Sequence, residues 1–263
     1  QKRYGDPTLD EQFAAIVESS DGGAMIAATV TPGVGGSDGK VMCIGVDGSL
    51  AWQTVVKGDK AEKITSAVRA HDGGMLFAGQ VNLQAGIYKR WLGRLDSAGK
   101  QLWVRSPAVA DMAAPAAMLA EKNGDFVVAG TKQIGEDRQV FLSRHDTLGN
   151  TLWQRLYSIN KKLELSPGAL SRTPDGGWLM AALSHLDKPT SLNKSWPAII
   201  RTNAWGHINC NTAGGCALKS ASQCDDGNSC TLDMCDPKKG CYSKPLGGMA
   251  CGNGKTCVGG VCI

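Results

Sequence analysis

A chain of 263 residues can hold one large domain or a domain with an appendage, and nine of its ten cysteines lie after residue 209, which argues for the second arrangement. The formal charge of +4 is spread thinly along the chain, which excludes a nucleic-acid surface built on a basic patch. No apolar run reaches the roughly 18 residues of a membrane-spanning helix, so that class is excluded as well.

The chain opens at Gln1 with neither an initiator methionine nor a signal-type apolar segment, and reads as a mature product. Gln1-Lys2-Arg3-Tyr4-Gly5 looks like the five residues that follow Trp153, with Tyr4 in register with Tyr157. Residues 1–5 are therefore expected to form a stray strand that closes a ring on the last blade or is donated to a neighbour; the bland alternative is a frayed tail.

Two markers then recur at spacings of about fifty residues, the range of propellers and solenoids. The first is Asp21-Gly22-Gly23, Asp72-Gly73-Gly74, Asn123-Gly124-Asp125 and Asp175-Gly176-Gly177. The second puts a glycine four positions before a tryptophan: Gly48 before Trp52, Gly99 before Trp103 and Gly149 before Trp153, with Gly206 before Cys210 as a decayed copy. The fold class expected is all-β, a four-repeat β-propeller with four strands per blade, with repeats near 6–57, 58–107, 108–158 and 159–209.

In the second repeat the strands are expected at Thr65 to Ala70, Met75 to Val81, Tyr88 to Leu95 and Gln101 to Ser106. The glycine markers supply the positive φ of tight hairpins between the first and second and between the third and fourth strands. The connections Pro32 to Lys40, Asn82 to Ile87, Lys132 to Asp137 and Ser184 to Lys194 share no pattern and read as variable loops, the places where binding usually sits.

Aligned third strands put Cys43 with Leu92, Leu142 and Ile199, and Gly45 with Arg94, Arg144 and Arg201. Cys43 then reads as a small buried hydrophobe. Arg94, Arg144 and Arg201 either ring one face as an anion or glycan site or pair with a local aspartate, and the structural role is preferred. Trp52, Trp103 and Trp153 are expected to pack between blades, the alternative being an exposed sugar-stacking ring.

After Asn209 the repeat stops and a tail, 210–263, carries Cys210, Cys216, Cys224, Cys230, Cys235, Cys241, Cys251, Cys257 and Cys262. A segment this rich in cysteine and poor in core residues needs disulfide staples, which implies export to an oxidising compartment. The number is odd, so one thiol pairs with Cys43, bridges to another chain or stays free, and the connectivity is open. Asp225, Asp226, Asn228 and Asp233 offer hard oxygen ligands to calcium, yet their spacing is not an EF-hand loop and a turn-forming role is preferred.

The repeat, with its Asp-Gly-Gly and Asp-x-x-Gly-x-x-Leu-Trp markers, resembles the β-propeller-like repeats of secreted bacterial proteins, and its second half is similar to the tryptophan-docking motif of quinoprotein propellers. The run Cys224-Asp225-Asp226-Gly227-Asn228-Ser229-Cys230-Thr231-Leu232-Asp233-Met234-Cys235-Asp236 is similar to cysteine-rich segments of myxobacterial-type surface and secreted proteins. These resemblances imply an extracellular or cell-surface location and a noncatalytic role.

Chemistry in the sequence itself is sparse. His71, His145, His185 and His207 sit in no catalytic spacing, and Pro32-Gly33-Val34-Gly35-Gly36 lacks the Lys-Ser/Thr of a phosphate loop. The reading that follows is a noncatalytic exported binding or structural protein, adhering to a protein or a surface glycan through its variable loops, with no cofactor. One alternative is a subunit of an extracellular polymer that self-associates by strand exchange and an interchain disulfide. The other is a quinoprotein-like or glycan-processing propeller enzyme.

Overall fold

The computed structural model describes residues 2–32, 36–58, 60–135, 137–157, 163–185, 195–208, 228, 230–236, 240–245, 250–252, 255–259 and 261–262. Every regular element among them is a β-strand. The chain divides into two compact units, Gln1–Ser171 with Met180–Ile199, and Arg172–Leu179 with Ile200–Ile263.

In the first unit each repeat folds as an antiparallel meander. The first sheet is β1 (Asp10–Glu18), β2 (Ala24–Thr31), β3 (Asp38–Ile44) and β4 (Leu50–Val56), paired in that order. The second is β5 (Ala61–Arg69), β6 (Met75–Gln84), β7 (Ile87–Leu95) and β8 (Gln101–Arg105). The third is β9 (Ala113–Ala120), β10 (Phe126–Ile134), β11 (Asp137–His145) and β12 (Thr151–Tyr157). A fourth sheet pairs β13 (Leu163–Arg172), β14 (Trp178–His185) and β15 (Ser195–Thr202). Beyond the turn that ends at Gly206, its fourth-strand place carries a single bridge, Thr202 to Ile208. These are the repeated blades of a propeller-type fold.

The strands run longer than the sequence pattern suggests. Two of the expected variable loops shrink to tight connections, because β6 runs to Gln84 and β7 begins at Ile87, while β10 runs to Ile134 and β11 begins at Asp137. Polar residues such as Asn82 and Lys132 extend these strands past the apolar run, since one edge of a blade is wet and tolerates them.

Stacking of neighbouring sheets builds the core. Met25, Ala27, Val41, Cys43 and Val56 of the first sheet meet Ile64, Phe77, Trp91 and Leu95 of the second. Leu76, Ala78 and Leu92 of the second sheet meet Ala113, Phe126, Val128 and Phe141 of the third. Each blade thus has one face toward the blade before it and one toward the blade after it, and its middle strands are apolar on both.

The tryptophans sit at these seams. Trp52 Nε1 donates to Ser97 O at 3.2 Å, and Trp103 Nε1 donates to Thr147 O at 3.1 Å, in each case to the β3–β4-type turn of the next blade. Their rings lie flat on the turn glycine: a Cβ on Gly99 would stand 2.5 Å from the Trp52 ring, and one on Gly149 would stand 2.9 Å from the Trp103 ring. Gly48, Gly99, Gly149 and Gly206 all have positive φ, from 74° to 82°. The turn glycine therefore serves twice, once for its backbone and once for the bare surface it offers to an indole.

Residues 2–5 form no strand, which corrects the expectation for them. Lys2 Nζ donates to Asp47 O and Gly48 O, and Tyr4 Oη donates to Gly48 O at 2.8 Å. Lys2 and Tyr4 thereby take the places on the first blade's turn that Trp52 and Thr54 take on the second's, where Thr54 Oγ1 donates to Gly99 O. Tyr4 corresponds to Thr54 and Arg105, not to the position of Tyr157, because the polar tips follow the carbonyls of the turn.

In the tail, β16 (Thr231–Asp236) pairs with β17 (Gly240–Pro245), and β18 (Ala250–Gly252), β19 (Lys255–Val258) and β20 (Val261–Cys262) form a small second sheet. A disulfide joins Cys230 to Cys257, and both residues are buried. Cys235 and Cys241 face each other in backbone register, as do Cys257 and Cys262.

Gly86 and Gly99 allow the seam to be weighed, since both have positive φ but nothing lies within 4 Å of a Cβ on Gly86. Gly86→Ala should cost about 1–2 kcal/mol for the backbone alone. Gly99→Ala should cost roughly 1–3 kcal/mol more, for overpacking against Trp52. Equal losses in urea melts of the two variants would show that the ring is not seated on the turn.

Candidate functional site

The alternation of strands places all Asp-Gly-Gly and Asp-x-x-Gly turns at one end of the blades, and the interblade crossovers at the other. At the crossover end the innermost strands begin with acids. Glu11 pairs with Val30 and Glu62 with Val81, and a bulge follows at the same place in both strands, so the two glutamates occupy one position in successive blades. In the third blade that position is Ala113, and Asp111 lies just before it.

The two glutamates meet different surroundings. Lys40, almost fully buried on β3, puts its Nζ 2.6 Å from Glu11 Oε1. The residue matching Lys40 in the second blade is Trp91, so the second blade has no ammonium at the place where the first has one. Glu62 is 1% exposed; its Oε1 accepts from the Lys60 N–H at 3.1 Å and its Oε2 has no hydrogen-bond partner among the described residues. Burial pushes its carboxyl above the usual range, and nearby Asp38 adds to the rise. The cover over this carboxyl is the β4–β5 connection, where a Cβ on Gly58 would stand 2.1 Å from Glu62 Oε1.

Asp111 is ion-paired to Arg90 at 3.0 Å and also accepts from the Arg90 N–H, while Arg90 Nη1 donates to Gln154. Met112 beside it is the one non-glycine residue with positive φ among the described residues, at 51°. That strain at the mouth of β9 holds the Met112 backbone between Tyr88 and Gln133.

Two pockets border these groups. One, of about 590 Å³, lies between residues 3–9 and the first sheet, with Lys40, Val30 and Val55 in its wall. The other, of about 270 Å³, is lined by Arg90, Arg105, His145 and Thr151 among others. His145 is buried, stacks on Phe126 and lies 2.9 Å through Nε2 from Ser143 Oγ. Ser143 is fully buried, so the pair braces the seam and offers no nucleophile to solvent.

Arg94, Arg144 and Arg201 each hold the aspartate of their own blade's first turn, Asp72, Asp125 and Asp175, at 2.8–2.9 Å. The matching residue in the first blade is Cys43, which pairs with Trp52 as Arg94 pairs with Trp103. This shifts the sequence alignment of the first blade by two positions: Cys43 corresponds to Arg94, and Val41 to Leu92. Cys43 is buried and carries a free thiol. Asn228 Oδ1 accepts from the Cys230 N–H, a turn contact. The backbones of Asp233, Cys235, Cys241, Cys251 and Cys262 are placed within strands, while their side chains, and the whole of Cys210, Cys216, Cys224, Asp225 and Asp226, lie outside the described residues.

Residues 223–246 match a family model described as a Dictyostelium (slime mold) repeat. No curated protein matches the chain. Among solved structures it is similar to a protein of unknown function from Dyadobacter fermentans, with 14% identity over 92% of this chain and 80% of that one, at a TM-score of 0.54. It is also similar to an alpha-L-arabinanase of Penicillium chrysogenum complexed with arabinobiose, with 9% identity over 76% of this chain and at a TM-score of 0.51. The chain spans 64% of that enzyme's length. These likenesses establish the propeller-like fold. They also correct the expectation of a noncatalytic adhesive protein, because the named fold relative is a glycan-degrading enzyme, which favours the glycan-processing alternative.

The glutamate pair was missed in the sequence although Glu11 and Glu62 stand 51 residues apart, the same spacing as Asp21 and Asp72, because they belong to neither glycine marker and the third repeat carries Ala113 in their place. Ser143 and His145, by contrast, are two apart on one strand, and their shared face was legible from alternation alone.

Burial holds the His145 imidazole down at about 4, against an ordinary value of 6.5. The unfolded chain takes up this proton near pH 6.5 and the folded protein only near pH 4. Stability is therefore full above about 6.5, declines as pH falls through that window and levels off below about 4, by a total on the order of 3 kcal/mol from this group. His145→Gln should flatten that part of a urea-melt pH series; an unchanged slope would place the histidine in water.

Proposed function

We propose that this protein is an exported enzyme that acts on glycans, with Glu62 as the proton donor and Glu11, paired to Lys40, as the second carboxyl of the site. The observation that carries this reading is the pair of glutamates at one position in neighbouring innermost strands, one held beside Lys40 and the other buried with a raised carboxyl. Glycoside hydrolysis commonly needs this division, an acid kept protonated to serve the leaving oxygen and a carboxylate kept charged to act as base or nucleophile. The fold of the arabinanase relative supports the substrate class. Sugar reaching Glu62 requires the β4–β5 connection around Gly58 to move aside, and closure of that connection behind it excludes water.

The disulfide Cys230–Cys257 and the cysteine density of the tail support export to an oxidising compartment. The similarity of the tail to myxobacterial-type surface segments fits the same location, where the substrate would be an extracellular glycan.

Reducing-end release from arabino-oligosaccharides, followed by a wider glycan panel, tests the reading. Turnover is expected, and Glu62→Gln should lower kcat by about 10²–10⁴-fold, the usual worth of a general acid. The same substitution should raise the melting temperature at neutral pH. A carboxyl raised by burial gives its stabilisation at pH below its unfolded value and loses it as pH climbs, so removing its charge relieves a cost. No turnover on any glycan, or full activity in Glu62→Gln, would overturn the proposal.

A further inference from the structure

Every seam within the first unit joins one kind of face to another. The face toward the preceding blade carries Ile64, Ala67, Phe77 and Trp91 in the second sheet. The face toward the following blade carries Val41 and Ala27 in the first sheet, and Leu92 and Ala78 in the second. Among the described residues two such faces have no mate. In the first sheet Phe13 is 63% exposed, although Ile64, its counterpart in the second, is 2% exposed. Ile16 is likewise exposed, and its counterparts Ala67 and Met118 are buried.

The complementary face is bare on the fourth sheet. Ile199 is 64% exposed, whereas its counterparts Val41, Leu92 and Leu142 are at most 4% exposed. Ala181 and Leu183 beside it on β14 are exposed too. Isolated apolar residues on a surface need no explanation, but these fall at the positions that the seams bury elsewhere. The bare faces are the two halves of one repeated interface.

A second complementarity points the same way. The fourth sheet has three strands among the described residues, and residues 2–4 already sit on the first blade's turn where a preceding blade's fourth strand would hold it. The receiving blade therefore carries in place an outer contact that the described residues of the fourth sheet do not supply. We infer that a second copy of this chain seats its fourth sheet on the first sheet, with Ile199 and Leu183 against Phe13 and Ile16. The contact is heterologous, one face on the other, so each copy has both a donor and an acceptor side. It is argued from the seams alone and stands whether or not the glycan reading does, although Glu11 lies two residues from Phe13 on the same strand.

Light scattering on the full chain across a wide concentration range tests this. The mass should rise above the 27.6 kDa of one chain as concentration increases. Phe13→Asp and Ile199→Asp should each hold it at one chain. An equimolar mixture of the two variants restores one intact seam, and should give a species of two chains and no larger. Both positions are exposed, so melting temperatures should match the parent; Phe13→Ser and Ile199→Ser replace the charged variants if either fails to fold. A parent that stays monomeric throughout, an assembly that ignores both substitutions, or a mixture that remains monomeric would each overturn the inference.

Discussion

The seating of an indole on a bare glycine turn is the contact from which the rest of this fold is spaced. Trp52 on Gly99 and Trp103 on Gly149 set how far apart neighbouring sheets stand at their outer edges, and the apolar cores fill the gap so defined. The geometry is demanding because the glycine is already committed to positive φ, and any side chain on it would enter the ring. Directed N–H donation from each indole to a turn carbonyl then fixes the angle as well as the distance. Lys2 and Tyr4 show that the turn accepts donors other than an indole.

The same stacking explains the electrostatics. The position that opens an innermost strand is set by what lies over it: in the second blade the first sheet and the Gly58 connection cover the acid and force it toward its neutral form, and in the first blade an ammonium pairs with it. Glu11 has Lys40; Glu62 has Trp91 in the matching place and is covered by the Gly58 connection. One repeat position thus yields two chemically different carboxyl groups, through the third-strand partner and the cover over the strand together. The arginines of the turns behave otherwise: each is spent on the aspartate of its own blade.

Much of the architecture was legible in the sequence because turns with positive φ leave a strong mark, and Gly99 or Gly149 four residues before a tryptophan has little other use. Local register was less legible. In the first blade Asp47 mimics the turn aspartate of the others, but the hydrogen bonds close the turn on Gly45, as they do on Asp96, and this moves Cys43 by two places. The candidate site was hidden for a related reason. The partner of Glu11 is 29 residues away on another strand, and although the 51-residue period links Glu11 to Glu62, no motif marks the position and nothing in the local pattern tells which of the two is paired and which is buried. The bare faces of the first and fourth sheets were hidden as well, since Phe13 and Ile199 look like core residues until their counterparts are compared.

A double-mutant cycle at Trp103 and Gly149 tests most directly whether the ring-on-turn contact sets the seam. With the indole present, Gly149→Ala meets both backbone strain and the ring; in a Trp103→Ala background it meets the strain alone. The coupling between the two substitutions in urea unfolding should exceed about 1 kcal/mol, within the range for residues in direct contact. Losses that add to within roughly 0.3 kcal/mol would mean that the indole and the glycine do not sense each other, and that something else spaces the blades.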